Sequence, residues 1–96
     1  MLLTTEEIAT ALEGLAGWNR DVDSLRASFT FGTFVEAFSF LTAVALEAER
    51  ANHHPELWNS YNRVRIGLTT HEAGGITARD VRLAGVISRL AASRRA

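Results

Sequence analysis

Two stretches of strict alternation limit what this chain can fold into. Leu25, Ala27, Phe29 and Phe31 alternate with Arg26, Ser28 and Thr30. Val64, Ile66 and Leu68 alternate with Arg63, Arg65, Gly67 and Thr69. A period of two places every second side chain on one face, so each stretch predicts a strand with one side buried. Each has a short partner upstream. Trp18-Asn19-Arg20 precedes the turn Asp21-Val22-Asp23-Ser24, and Leu57-Trp58-Asn59 precedes the turn Ser60-Tyr61-Asn62. The strands therefore arrive as two hairpin pairs.

Helical periods occupy the rest. Thr4 with Glu7 and Thr33 with Glu36 have the spacing of capping boxes, with Leu3 and Ile8 placed as a hydrophobic staple for the first. Ile8, Leu12 and Leu15 form one stripe of a helix from about Thr5 to Leu15, stopped by Gly14 and Gly17. Phe34 to Ala51 reads as a second helix, with Phe34, Phe38, Leu41, Ala45 and Ala48 marking one face. Val35, Phe40, Val44 and Leu46 leave little polar surface elsewhere, so this helix has to bury more than one side. Thr77 with Asp80 caps a third helix, whose stripe is Val81, Leu83, Ala84, Ile87, Leu90 and Ala91. The order helix, strand, strand, helix, strand, strand, helix predicts a single α+β domain over residues 1–96. Its expected architecture is two-layer: a four-stranded, mostly antiparallel sheet with three helices on one face.

Composition closes several routes. There is no cysteine, which excludes disulfides, thiolate metal sites and cysteine nucleophiles. Met1–Glu7 lacks the basic and apolar regions of a signal peptide, and no segment has the roughly 20 apolar residues of a membrane span. A cytoplasmic protein without membrane contact is the expectation. All ten basic residues are arginine, and Arg89, Arg94 and Arg95 make the C-terminal end basic, as suits the negative end of a helix dipole or an anionic contact.

All three histidines fall in one window. His53 and His54 are adjacent before Pro55, and His71 follows one alternating segment later. Glu49 lies one helical turn before His53, and Asp80 opens the last helix behind Gly74-Gly75. Imidazole both gives and takes protons near neutral pH, so a convergent set suits proton transfer, with a carboxylate fixing a tautomer. A metal site is a second reading, although adjacent histidines do not match helical ligand spacing. Structural hydrogen bonding is a third; Asp80 is placed to cap a helix, and Glu49 to pair with Arg50.

The segment Glu49-x-x-Asn52-His53-His54-Pro55-Glu56, then Tyr61-Asn62-Arg63-Val64, then Thr69-Thr70-His71-Glu72-Ala73-Gly74-Gly75-Ile76-Thr77-x-Arg79-Asp80 resembles the pterin-4a-carbinolamine dehydratases, also known as dimerisation cofactors of a homeodomain transcription factor. The resemblance is strong from about Thr33 to Leu90. One departure is Leu57, where the family commonly has an aromatic; Trp58 follows it. The resemblance implies dehydration of 4a-hydroxytetrahydropterin to quinonoid dihydropterin, with no metal or organic cofactor. It implies catalytic roles for His53, His54, His71 and Asp80, and substrate binding by His54, Glu49, Trp58 and Thr70. His53 and His71 are the proton-transfer candidates, with His54 mainly binding. The implied partners are a small pterin substrate and further copies of the chain, as homodimer or homotetramer, without direct nucleic-acid binding. Some relatives act as non-catalytic transcriptional cofactors or assembly factors, which is the alternative role.

Overall fold

The computed structural model describes residues 1–94; of the basic C-terminal end, Arg95 lies outside the described residues. The elements in chain order are α1 (Thr5–Glu13), β1 (Trp18–Asp21), β2 (Ser24–Thr30), α2 (Phe34–Ala51), β3 (Glu56–Ser60), β4 (Arg63–Leu68), a 3₁₀ turn (His71–Ala73) and α3 (Ala78–Ala92). The four strands form one antiparallel sheet in the order β1-β2-β4-β3. The two hairpins are thus joined by their second strands. Three helices and this open sheet make the α+β fold read from the alternation.

Register explains the two layers. Leu25, Ala27 and Phe29 of β2 stand opposite Leu68, Ile66 and Val64 of β4, and all six are buried. Trp18 of β1 joins them beside Ala27. The helices supply Ile8, Phe40, Leu41, Val44, Leu83, Ala84 and Ile87 to the same core. Phe40 is fully buried, its ring 5.2 Å from that of Phe29 and 5.0 Å from that of Phe31. The intervening residues, Arg26, Ser28 and Thr30 on β2 with Arg63 and Arg65 on β4, form the exposed face. No described helix is long and apolar enough to cross a membrane.

All three helix starts carry complete capping boxes, at Thr4–Glu7, Thr33–Glu36 and Thr77–Asp80. Each closes two backbone donors that a helix start otherwise leaves open. The first helix is shorter than its stripe suggests. It ends at Glu13 because Gly14 leaves helical geometry as C-cap, while Leu15 still packs into the core. The face marked on α2 by Phe34, Phe38, Leu41, Ala45 and Ala48 is only partly inward. Ala37, Phe40, Leu41, Val44 and Ala48 are buried, whereas Phe34, Phe38 and Ala45 are exposed. Two apolar stripes run along this helix, so periodicity alone does not fix which one meets the sheet.

Neighbouring positions on β2 test the alternation. Phe29→Ala removes a buried ring and should cost about 3–5 kcal/mol of stability. Ser28→Ala, on the exposed face, should stay within about 0.5 kcal/mol in the same urea denaturation. Similar losses at both positions would contradict the layer assignment.

Candidate active site

The site begins where α2 stops. Asn52 adopts a left-handed conformation at φ 49°, a geometry asparagine tolerates better than most residues. Its N–H donates to the carbonyls of Ala48 and Glu49, and the His53 N–H donates back to Ala48 at 3.0 Å. This terminates the helix and reverses the chain. Pro55 then holds the segment extended. The two histidines leave on opposite sides: His53 is 6% exposed, while the His54 side chain is open to solvent.

A second loop closes the site. After β4, Thr70 pairs with Gly75 in an isolated bridge, and the intervening His71–Ala73 forms a single 3₁₀ turn. Gly74, at φ 81°, gives the left-handed exit that a side chain would resist. His71 therefore opens this turn, slightly beyond the strand end where alternation places it. Both glycines of the Gly74-Gly75 connection belong to the turn and its bridge.

Asp80 links the two loops. Its carboxylate is fully buried and satisfied on both oxygens. Oδ2 accepts from the Thr77 N–H at 2.8 Å and from the Thr70 hydroxyl at 2.9 Å. Thr70 and Thr77 also share a hydrogen bond of 2.8 Å between hydroxyls. Oδ1 lies 2.6 Å from His53 Nε2. The helix cap and the histidine partner are thus one residue. A buried carboxylate is stable only when paired and hydrogen-bonded, as here. Facing a carboxylate, His53 carries its proton on Nε2. In the neutral ring Nδ1 is then the free acceptor, and it has no hydrogen-bond partner among the described residues.

His54 Nε2 meets Glu49 Oε2 at 2.5 Å, but this pair is solvent-exposed. Its contribution to stability is about 0–1 kcal/mol. Glu49 thus pairs with a histidine; Arg50 instead meets Glu47.

His53, His54 and His71 line one cleft of roughly 250 Å³. Asn52, Thr69, Glu72 and Arg79 complete its wall. Among the described residues the His71 ring has no protein hydrogen bond. Arg79 crosses the cleft, donating to the Asn52 carbonyl at 2.7 Å and to Glu72 at 3.4 Å. The Glu72 carboxyl is held below the usual range, first by a backbone hydrogen bond at Glu72 and then by that guanidinium. Thr69 is anchored by its hydroxyl to the Asp23 carbonyl at 2.6 Å.

Two of the residues read for binding lie elsewhere. Thr70 is buried behind the cleft and holds Asp80. Trp58 lies on the exposed face of the sheet, opposite Arg65, whose guanidinium sits 4.4 Å from its ring centroid. Strand alternation explains this: Arg65 falls on the outward side, and so does its cross-strand partner. Asn52, Glu72 and Arg79 belong to the segments that carry the resemblance, but the sequence reading gives them no role in the site. Arg79 adjoins Asp80 in the first turn of α3, and its place in the motif Thr77-x-Arg79-Asp80 is the signal that points to it.

The family described as pterin 4 alpha carbinolamine dehydratase matches residues 1–90. A relative from Rhizorhabdus wittichii, provisionally named a pterin-4-alpha-carbinolamine dehydratase, is 53% identical over 91 residues. That match covers 93% of this chain and 94% of the relative. One from Burkholderia vietnamiensis, named in the same provisional way, is 49% identical over 92 residues, covering 94% and 90%. The crystal structure of a transcriptional coactivator/pterin dehydratase from Brucella melitensis superposes with a TM-score of 0.92 at 39% identity, covering 95% of this chain and 99% of that one. A pterin dehydratase-like protein identified as a RuBisCO assembly factor in the alpha-carboxysome shares the fold alone, with TM-score 0.64 and 24% identity over 77% and 86% of the two chains. The match over nearly the whole chain, at about half identity, places this protein in the pterin-4-alpha-carbinolamine dehydratase family.

Proposed function

We propose that the histidine cleft dehydrates a 4a-hydroxytetrahydropterin to the quinonoid dihydropterin, in the cytoplasm, as a step in tetrahydropterin recycling. The observation that carries this reading is the buried His53–Asp80 pair, which leaves Nδ1 as an acceptor on a ring bordering the cleft. In the reaction the C4a–O bond breaks, N5 loses its proton, and a C4a=N5 double bond forms as water leaves. One group must protonate the departing hydroxyl and another must take the N5 proton. His53 Nδ1 suits the base. His71, with no protein hydrogen bond on its ring among the described residues, suits the acid when protonated. Each such transfer contributes on the order of 10²–10⁴-fold. After one turnover His53 holds an extra proton and His71 lacks one, and exchange with water restores both. His54, steadied by Glu49 at the rim, is assigned to substrate binding. Asp80 positions His53, and Thr70 positions Asp80.

The chemistry needs no metal. His53 Nε2 is engaged by Asp80 and His54 Nε2 by Glu49.

A second copy of the chain is the proposed partner. On α2 the exposed large apolar side chains are Phe34, Val35, Phe38 and Leu46, with Val35 at 73% and Leu46 at 67% exposure. Large apolar side chains exposed along one helix of a small domain favour association. The same side chains support the alternative of a non-catalytic binding or assembly role, which gains if turnover is absent.

The first test is turnover of chemically generated 4a-hydroxytetrahydropterin by the purified chain, above the uncatalysed background. His53→Ala and His71→Ala should each lower kcat by about 10²–10⁴-fold, and the double variant should lose far less than the product. His54→Ala should mainly weaken a pterin analogue. Asp80→Asn can keep the Thr77 and Thr70 bonds on its carbonyl while its NH₂ faces His53. That forces the other tautomer, so kcat should fall by about 10²–10⁴-fold in a folded protein. Near wild-type kcat in both folded His53→Ala and His71→Ala would overturn the assignment.

Dialysis against a strong chelator should leave turnover unchanged. Activity that vanishes and returns with zinc or iron would refute metal-free proton transfer.

Light scattering at micromolar concentration should give a dimer or larger. Phe38→Glu should shift it towards monomer with the fold retained. A monomeric wild type would contradict the assembly.

A further inference from the structure

Behind the catalytic cleft lies a second cavity, of roughly 370 Å³, in the groove between the end of α2 and the start of α3. The two cavities share His53 and Arg79 as walls. The proposed dehydration makes no use of the second one.

Its lining has a definite character. Three guanidinium groups, those of Arg50, Arg79 and Arg82, border it, against the single carboxylate of Glu47. Glu47 lies 3.5 Å from Arg50, a partly exposed pair within one helix. Arg79 gives one nitrogen to an uncharged carbonyl, that of Asn52, and reaches Glu72 only at 3.4 Å. The Arg82 side chain has neither a hydrogen bond nor an ion pair among the described residues. Beneath the charges, Ala51, Leu83 and Val86 supply an apolar surface, with Leu83 buried in the core below. A concave site with excess positive charge raises the local concentration of anions. The planar fork of arginine matches carboxylate geometry. Apolar side chains favour a ligand with a carbon body over a bare inorganic ion.

We propose that this groove is a binding site for a small organic acid, with its carboxylate on Arg82 and Arg79 or Arg50 and its apolar body on Leu83 and Val86. Such a ligand places a negative charge against His53 and Arg79, the two residues that the catalytic cleft shares. The site stands on its own lining and does not depend on the dehydration reading.

The test is an amide NMR titration of the whole chain with benzoate, with benzyl alcohol as the neutral counterpart. Benzoate should move the amide signals of Ala51, Leu83 and Val86 saturably. Arg82→Gln, an exposed change outside the proposed catalytic set, should weaken it by about tenfold, as loss of a charged hydrogen bond implies. His71→Ala, which alters only the cleft, should leave the affinity unchanged. Benzyl alcohol should bind at least about tenfold more weakly than benzoate. The proposal is overturned by an absence of saturable shifts up to tens of millimolar, or by equal affinity in Arg82→Gln. It is equally overturned by equal affinity for benzyl alcohol, or by shifts centred on Thr69–Glu72 and weakened by His71→Ala.

Discussion

The buried contact between Asp80 and His53 is the interaction on which the rest of the site depends. It joins the first turn of α3 to the chain reversal after α2, two segments far apart in sequence. A fully buried carboxylate is costly unless every oxygen is engaged, and the fold engages both. The Thr77 N–H and the Thr70 hydroxyl take Oδ2, leaving Oδ1 for the imidazole. The capping box that starts α3 therefore also sets the tautomer of a cleft histidine. The helix cap and the proposed chemistry share one side chain, so changes at Asp80 should be judged by both fold and rate.

Around this contact the fold acts as a frame. The β2–β4 pairing carries Thr70 and His71 to the end of the sheet, while Phe40 and Val44 hold α2 on its inner face. Helix α2 then delivers Asn52, His53 and His54 to the same end. Arg79 ties the α2 terminus to the 3₁₀ turn through Asn52 and Glu72. The two loops that build the cleft stay in register because they are anchored: the first through His53 to Asp80, the second at the Thr70–Gly75 bridge and the Thr69 bond to Asp23.

Much of this was legible in the residues. Leu25–Phe31 and Arg63–Thr70 read as strands because alternation reports one buried face, and the structure ends the second at Leu68, before the Thr70–Gly75 bridge. The capping boxes read as helix starts because they satisfy backbone donors locally. The resemblance carried by His53, His54, His71 and Asp80 pointed to the family that the comparisons then established. What stayed hidden depends on three-dimensional closure. The inward stripe of α2 was ambiguous because both of its stripes are apolar. Thr70 and Trp58 fell away from the cleft because the direction of a side chain at a loop or edge strand follows from register, not residue type. Arg79 stands in the motif, but its hold on the Asn52 carbonyl was not legible, because that contact exists only once the α2 terminus folds back on the first turn of α3.

The measurement that bears most directly on this account is long-range ¹H–¹⁵N NMR of the His53 ring in the wild-type protein, free and with a bound pterin analogue. The account predicts a proton on Nε2 and an unprotonated Nδ1 in the neutral ring, with the Nδ1 resonance shifting when the analogue enters the cleft. A neutral ring protonated on Nδ1, or an Nδ1 resonance indifferent to the analogue, would contradict it.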